Sequence, residues 1–253
     1  MLNPQFGSGV LYGVPNAGNL ATNPTPLQFG ILQEVSIEFK ADLKKLYGQY
    51  QGTLATARGK LDVSGKGKIA SLDPMFYSQL YFGQPTATGV NRPVFNESHT
   101  PSTSVTPANI TAAADLGVIN GSTGLQMTAI QTGTPVEGEY KFTPYSATGP
   151  TDAAYIFASA ETAESVLLSY QWPDSENGVT LEINNQLMGY APEFKALLYN
   201  DFRGSLFAVQ LNNCTMGSLS IPTKLEDFWV SDFDFSANAD VSNVLGYIYA
   251  DQL

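Results

Sequence analysis

The sequence predicts a mainly β protein with one flanking α-helix and long loops. Apolar and polar residues alternate in short runs along most of the chain, the period-two pattern of half-buried strands. Polar turn residues separate these runs, and only one segment carries both a helix start and a helix stop. With 253 residues the chain can bury a full core, either as one large all-β domain or as two small ones.

Residues 1–30 are rich in Gly, Pro and Asn and read as an extended arm or a frayed terminus. Phe6, Leu11, Tyr12, Leu20, Leu27 and Phe29 are too many apolar groups for a solvent tail, so the segment is expected to order only on assembly. Residues 31–253 form the main β domain. Val35, Ile37 and Phe39 alternate with Ser36, Glu38 and Lys40 in a first strand. Residues 42–47 read as one helical turn stopped by Gly48. Leu61, Val63 and Ile69 make a second strand, in which Gly65 and Gly67 permit a bend or bulge.

Asp73 and Pro74 are an N-cap and a first helical residue. Phe76 and Leu80 share a face of the helix that follows, and Gly83 stops it. Residues 84–135 read as a long loop or an inserted lobe. Beyond it, Tyr140 and Phe142, Tyr155 and Phe157, and Val166, Leu168 and Tyr170 mark short strands. Residues 174–178 read as a turn before Val179, Leu181 and Ile183. Residues 200–204 form a hairpin turn, followed by an unusually long strand over 205–221. Phe228, Val230, Phe233 and Phe235 form a last strand, with Asp232 and Asp234 on its other face.

Charge is unevenly placed. Residues 33–70 hold seven of the twelve Lys and Arg, leaving 1–69 at +3 and 70–253 at −14. An acidic chain repels nucleic acid at long range, which argues against a nucleic-acid reader. The basic stretch is itself interleaved with Glu34, Glu38, Asp42 and Asp62 and is poor in stacking aromatics. Such a split suits a protein that binds copies of itself. Cys214 is the only cysteine, so no internal disulfide forms. No run of about 18 apolar residues is present, so no membrane-spanning helix is expected, and the first residues lack the pattern of a secretory signal.

No catalytic constellation stands out. His99 is the only histidine and lies in a polar stretch, where solvation is its ordinary state. Cys214 sits in an alternating strand as a buried thiol. The pair Asp232 and Asp234 resembles the start of a calcium loop, but Ala237 and Asn243 stand where that loop needs Gly and Glu. No enzyme, metal or cofactor is expected.

FKADLKKLYG followed by ATARGKLDVSGKGKIA resembles the opening strands of bacteriophage tail tube proteins. NQLMGYAPEFKALL from Asn185 and KLEDFWVSDFDFSANAD from Lys224 are similar to their closing elements. The likeness covers most of residues 31–250 and is weakest over 84–135. It implies a β-barrel or β-sandwich with one flanking helix, six subunits in a ring, and rings stacked into a tube. Genomic DNA passes through the lumen without specific binding. The partners it implies are other copies of the chain and other tail proteins, with no membrane, and its location is the virion tail. On this reading Lys60, Lys66 and Lys68 pair with carboxylates of a neighbouring subunit, and Phe6, Leu11 and Tyr12 contact the next copy. The alternatives are another virion protein (a tail terminator, collar or decoration protein) and a carbohydrate-binding β-sandwich.

Overall fold

A computed structural model describes residues 6–16, 24–71, 73–148, 152–159, 161, 163 and 165–251. Its strands are β1 Val10–Pro15, β2 Leu27–Gln28, β3 Leu32–Tyr47, β4 Thr53–Ile69, β5 Thr86–His99, β6 Ser104–Val105, β7 Ala114–Asn120, β8 Thr128–Ala129, β9 Glu139–Thr143, β10 Ala154–Phe157, β11 Val166–Leu181, β12 Phe194–Phe202, β13 Ser205–Leu219, β14 Ser231–Asn238 and β15 Gly246–Ala250. The helical segment α1 starts as an α-turn over Pro74–Phe76 and continues as π-helical turns over Tyr77–Phe82. The fold is mainly β, and no sheet among the described residues closes into a barrel. The chain divides into two compact units, Met1–Thr86 with Leu181–Leu253, and Ala87–Thr180.

In the first unit an antiparallel sheet runs in the order β2-β1-β12-β13-β14-β4-β3, with β15 also on β13. The length of β13 explains this branching. Residues 207–211 pair with β15, while 213–219 pair with β14. The turn from β12 to β13 is tight because Arg203 and Gly204 both adopt positive φ, 55° and 77°, as a two-residue primed hairpin turn requires.

One face of this sheet carries the core. Asp73 caps α1 by accepting the Met75 N–H at 2.9 Å, and Gly83 at φ 60° ends the helical turns. The intervening Phe76 and Leu80 are fully buried. Phe29 packs its ring 4.4 Å from that of Phe76 and 5.0 Å from that of Phe233. Gly65 and Gly67 lie in regular pairing beneath Phe235 and Phe233. A Cβ on Gly65 would overlap the Phe235 ring, and one on Gly67 would come within 2.8 Å of Phe233. These glycines are therefore slots for aromatic rings, and the register of β3 with β4 shifts elsewhere, between Leu32 and Glu34, Ala41 and Leu43, and Leu46 and Tyr47.

The second unit is a small two-sheet structure. The sheet β5-β11-β7 and the sheet β6-β10-β9-β8 share a core that includes Val118, Leu168, Tyr140, Tyr155 and Phe157. The Asp115 carboxylate accepts the Tyr140 and Tyr155 hydroxyls at 2.6 and 3.0 Å. Burial, and then that carboxylate, push both phenols well above their ordinary value.

Several expectations are corrected. The arm over 1–30 contains β1, which is hydrogen-bonded to β12, and it buries Leu11 and Phe29 in the subunit's own core. Residues 17–23 lie outside the described residues. Residues 42–47 are strand, because cross-strand pairing with β4 overrides the helix-favouring composition of Leu43, Lys44, Lys45 and Leu46. Residues 84–135 are not a long loop. They include β5, β7 and two short strands, and the lobe extends to Thr180, so the strands read at 140–180 belong to it. Residues 174–178 stay within β11, where Asp174 accepts the backbone N–H groups of Glu176 and Asn177. The last predicted strand starts at Ser231, and Phe228 and Val230 precede it.

Candidate self-association surface

β3 and β4 form a hairpin far longer than the sheet that holds it. They pair from Leu32 with Ile69 out to Tyr47 with Thr53, whereas β14 supports β4 only as far as Val63. Beyond that point the described residues form a two-stranded ribbon. Residues 42–60 are exposed on both faces, and at 3.3–3.4 Å per residue the ribbon projects by about 25 Å. A two-stranded ribbon alone is marginally stable in water.

The two faces of this hairpin differ. Val35 and Ile37 point to the core, and the same face continues outward through Phe39, Leu61 and Leu43. These last three are 48%, 46% and 59% exposed. An apolar stripe thus starts in the core and runs out into solvent. Residues 43–60 also carry Lys44, Lys45, Arg58 and Lys60 and no carboxylate. This outer half is the one strongly cationic region of an acidic chain.

The predicted contact residues do not lie together. Lys60 lies on the projecting half and is exposed. Lys66 and Lys68 lie outside that half. They sit on the polar face of the sheet between carboxylates of their own chain, Lys66 beside Asp234, and Lys68 between Glu34 and Asp232. The Lys68 ammonium is 3.8 Å from Glu34. This face forms a shallow depression of about 390 Å³ that also includes Ser36 and Ser218. Leu11 is fully buried in its own core. Phe6 is exposed beside Phe202, with ring centroids 5.8 Å apart. Tyr12 is half-buried on the sheet face opposite the core.

Around Tyr12 is a surface that sequence reasoning missed. Register places Tyr12, Leu197, Gln210 and Tyr247 in one row, and Val10, Tyr199, Ala208 and Tyr249 in the next. The residues between these rows, Leu11, Leu198 and Val209, turn to the core. The outward rows carry no charge. Their signal was the alternation of Tyr247 and Tyr249 in GYIYA, where β15 was not expected.

His99 is partly exposed and also has a partner in its own chain. It pairs with Glu97, whose carboxylate also accepts the Tyr170 hydroxyl at 2.6 Å and the Ala108 N–H at 2.8 Å. Burial raises the Glu97 pKa, but the hydrogen bonds from Tyr170, His99 and Ala108 outweigh it and hold the carboxyl below its ordinary value. The cluster ties β5 and β11 to the segment between β6 and β7. Cys214 is buried as expected, and burial pushes its thiol up to about 12. Among the described residues, no three His, Cys, Asp or Glu side chains converge on a metal-sized site.

No protein-family model matches the chain, and no curated protein matches it in sequence.

Proposed function

We propose that this chain is a structural virion protein whose copies form hexameric rings that stack into a bacteriophage tail tube, a conduit for DNA. The observation that carries the reading is the projecting hairpin, whose core-continuous apolar stripe is left uncovered in the single chain. A ribbon of this kind is stabilised by a partner, and its cations favour one as acidic as this chain.

The polar face of β14, β4 and β3, with the 213–219 half of β13, supports the tube. These four strands are adjacent, and their outward residues include Glu34, Glu38, Asp232 and Asp234 against Lys66 and Lys68. Each lysine is interleaved with own-chain carboxylates. Such a face does not hold phosphates, which suits a duct. Four strands from each of six copies, at about 4.8 Å spacing and about 40° tilt, give a backbone diameter of roughly 48 Å. The lobe gives little support to a carbohydrate-binding reading, because Tyr140, Tyr155, Phe157 and Tyr170 are buried and cannot stack on a sugar.

Negative-stain microscopy at rising protein concentration tests the proposal. Six-fold rings and short tubes are the expected result. A monomer at every concentration, or rings of another order, would overturn it.

A further inference from the structure

We infer that the uncharged tyrosine face of β1, β12, β13 and β15 is the acceptor for the projecting hairpin of a second copy. This rests on the self-association reading and specifies which surfaces meet. The hairpin stripe and this face are both apolar surfaces, built on paired strands, that the chain's own core leaves uncovered. Tyr199, Tyr247 and Tyr249 are each about half exposed. Between the tyrosines is a depression of about 260 Å³, lined by Tyr12, Leu197, Tyr199, Ala208 and Tyr249. It is large enough to take one apolar side chain such as Leu43 or Phe39.

Charge sets the direction. Asp201 pairs with Leu206 at one end of the face, and Asp251 donates its N–H to the Leu206 carbonyl at 2.9 Å. The face has no charge at its centre; Asp201 and Asp251, with Arg203 in the adjoining turn, edge one end, and Glu193 and Asp240, with Lys195, edge the other, so carboxylates outnumber cations around it. The projecting ribbon, residues 40–62, brings five cations against two carboxylates, Asp42 and Asp62. Complementary charge at a rim steers encounter and fixes register. One face of its own kind would bring carboxylates to carboxylates. A hairpin on one chain and its acceptor on another make a head-to-tail contact, which generates rings or filaments instead of closed pairs.

Two single-cysteine additions to the full chain, Leu43→Cys and Tyr199→Cys, test this by disulfide cross-linking under mild oxidation. Cys214 is buried and does not take part. The mixture of the two variants should give a linked dimer at least tenfold more abundant than either variant alone. A dominant Tyr199→Cys homodimer would overturn the proposal by showing that the face pairs with itself. So would absence of any cross-link while the unsubstituted chain sediments as an oligomer. If the unsubstituted chain stays monomeric, the self-association reading falls as well. A second arm compares Tyr199→Lys with Tyr199→Glu. Against a cationic partner, Lys should weaken association at least about fivefold more than Glu, and equal or reversed losses contradict the inference.

Discussion

Replacing both Leu43 and Leu61 by Ser separates the role of the hairpin from that of the core. Leu43 is 59% and Leu61 46% exposed in the single chain. Fully burying a leucine stabilises by about 1.5–3 kcal/mol, so covering the exposed halves of both is worth about 2 kcal/mol per contact. At 1.4 kcal/mol per tenfold, the double variant should need about thirtyfold higher concentration to associate. The subunit itself should be almost unaffected, because neither side chain belongs to the buried core. Surface substitutions usually stay within about 0.5 kcal/mol, or about 1–2 °C in Tm for a chain of this size. Sedimentation velocity across a concentration series reads the first quantity, and a thermal melt at low concentration reads the second. Unchanged association would show that the stripe is not an interface. A fall in Tm of many degrees would show that the stripe serves the fold instead.

Three further outcomes follow from buried groups. Phe29→Ala removes a ring packed among Phe76, Phe194 and Phe233 and should cost about 3–5 kcal/mol, seen in calorimetry as a large fall in Tm; a loss under 1 kcal/mol would mean that the N-terminal segment is not part of the core. Cys214 should react with a thiol reagent only on unfolding, since burial raises its pKa to about 12 and the thiolate is the reactive form; fast labelling of the native chain would contradict its placement. The Glu97 carboxyl is held below its ordinary value, so its contribution is fully present above the unfolded pKa, about 4.3, and is lost as pH falls through the lower folded value. Melts of Glu97→Gln and the unsubstituted chain should therefore differ at pH 7 and converge in strong acid, and a gap independent of pH would exclude this role.

Legibility in the sequence followed the range of the interactions. The helix was readable because its signals are local: Asp73 and Pro74 start it, and Gly83 stops it. The hairpin turn near Gly204 and the alternation in β14 were readable for the same reason. The outer half of β3 was misread because Leu43, Lys44, Lys45 and Leu46 favour helix in isolation, and only pairing with a strand that starts at Thr53 makes them extended. Residues 1–30 lacked periodicity, yet β1 needs no period of its own when β12, nearly 190 residues away, supplies its hydrogen-bond partners. Of the predicted contact residues, Lys60, Lys66, Lys68, Phe6 and Tyr12 lie on accessible surface. Leu11 is in the core, because an alternating strand gives no sign of which face is covered until the sheet is assembled.

The misreadings also bear on assembly. An arm that orders only on binding would make the N-terminus the joining element, and its deletion would leave a folded subunit. With Leu11 fully buried and β1 paired along its length to β12, deletion of residues 2–28 exposes an edge of β12 and opens the core. On the proposed reading, the joining role passes to the element that a neighbour would complete. That element is the hairpin, which is the only part of the first unit's described sheet where paired backbone extends well past the core beneath it. Its cations are concentrated on that overhang, whereas Lys66 and Lys68 at its root are already set among their own chain's carboxylates. The charge split seen along the sequence is therefore a split in space between a root set among the chain's own carboxylates and an exposed overhang, which the proposed assembly would place against the next copy.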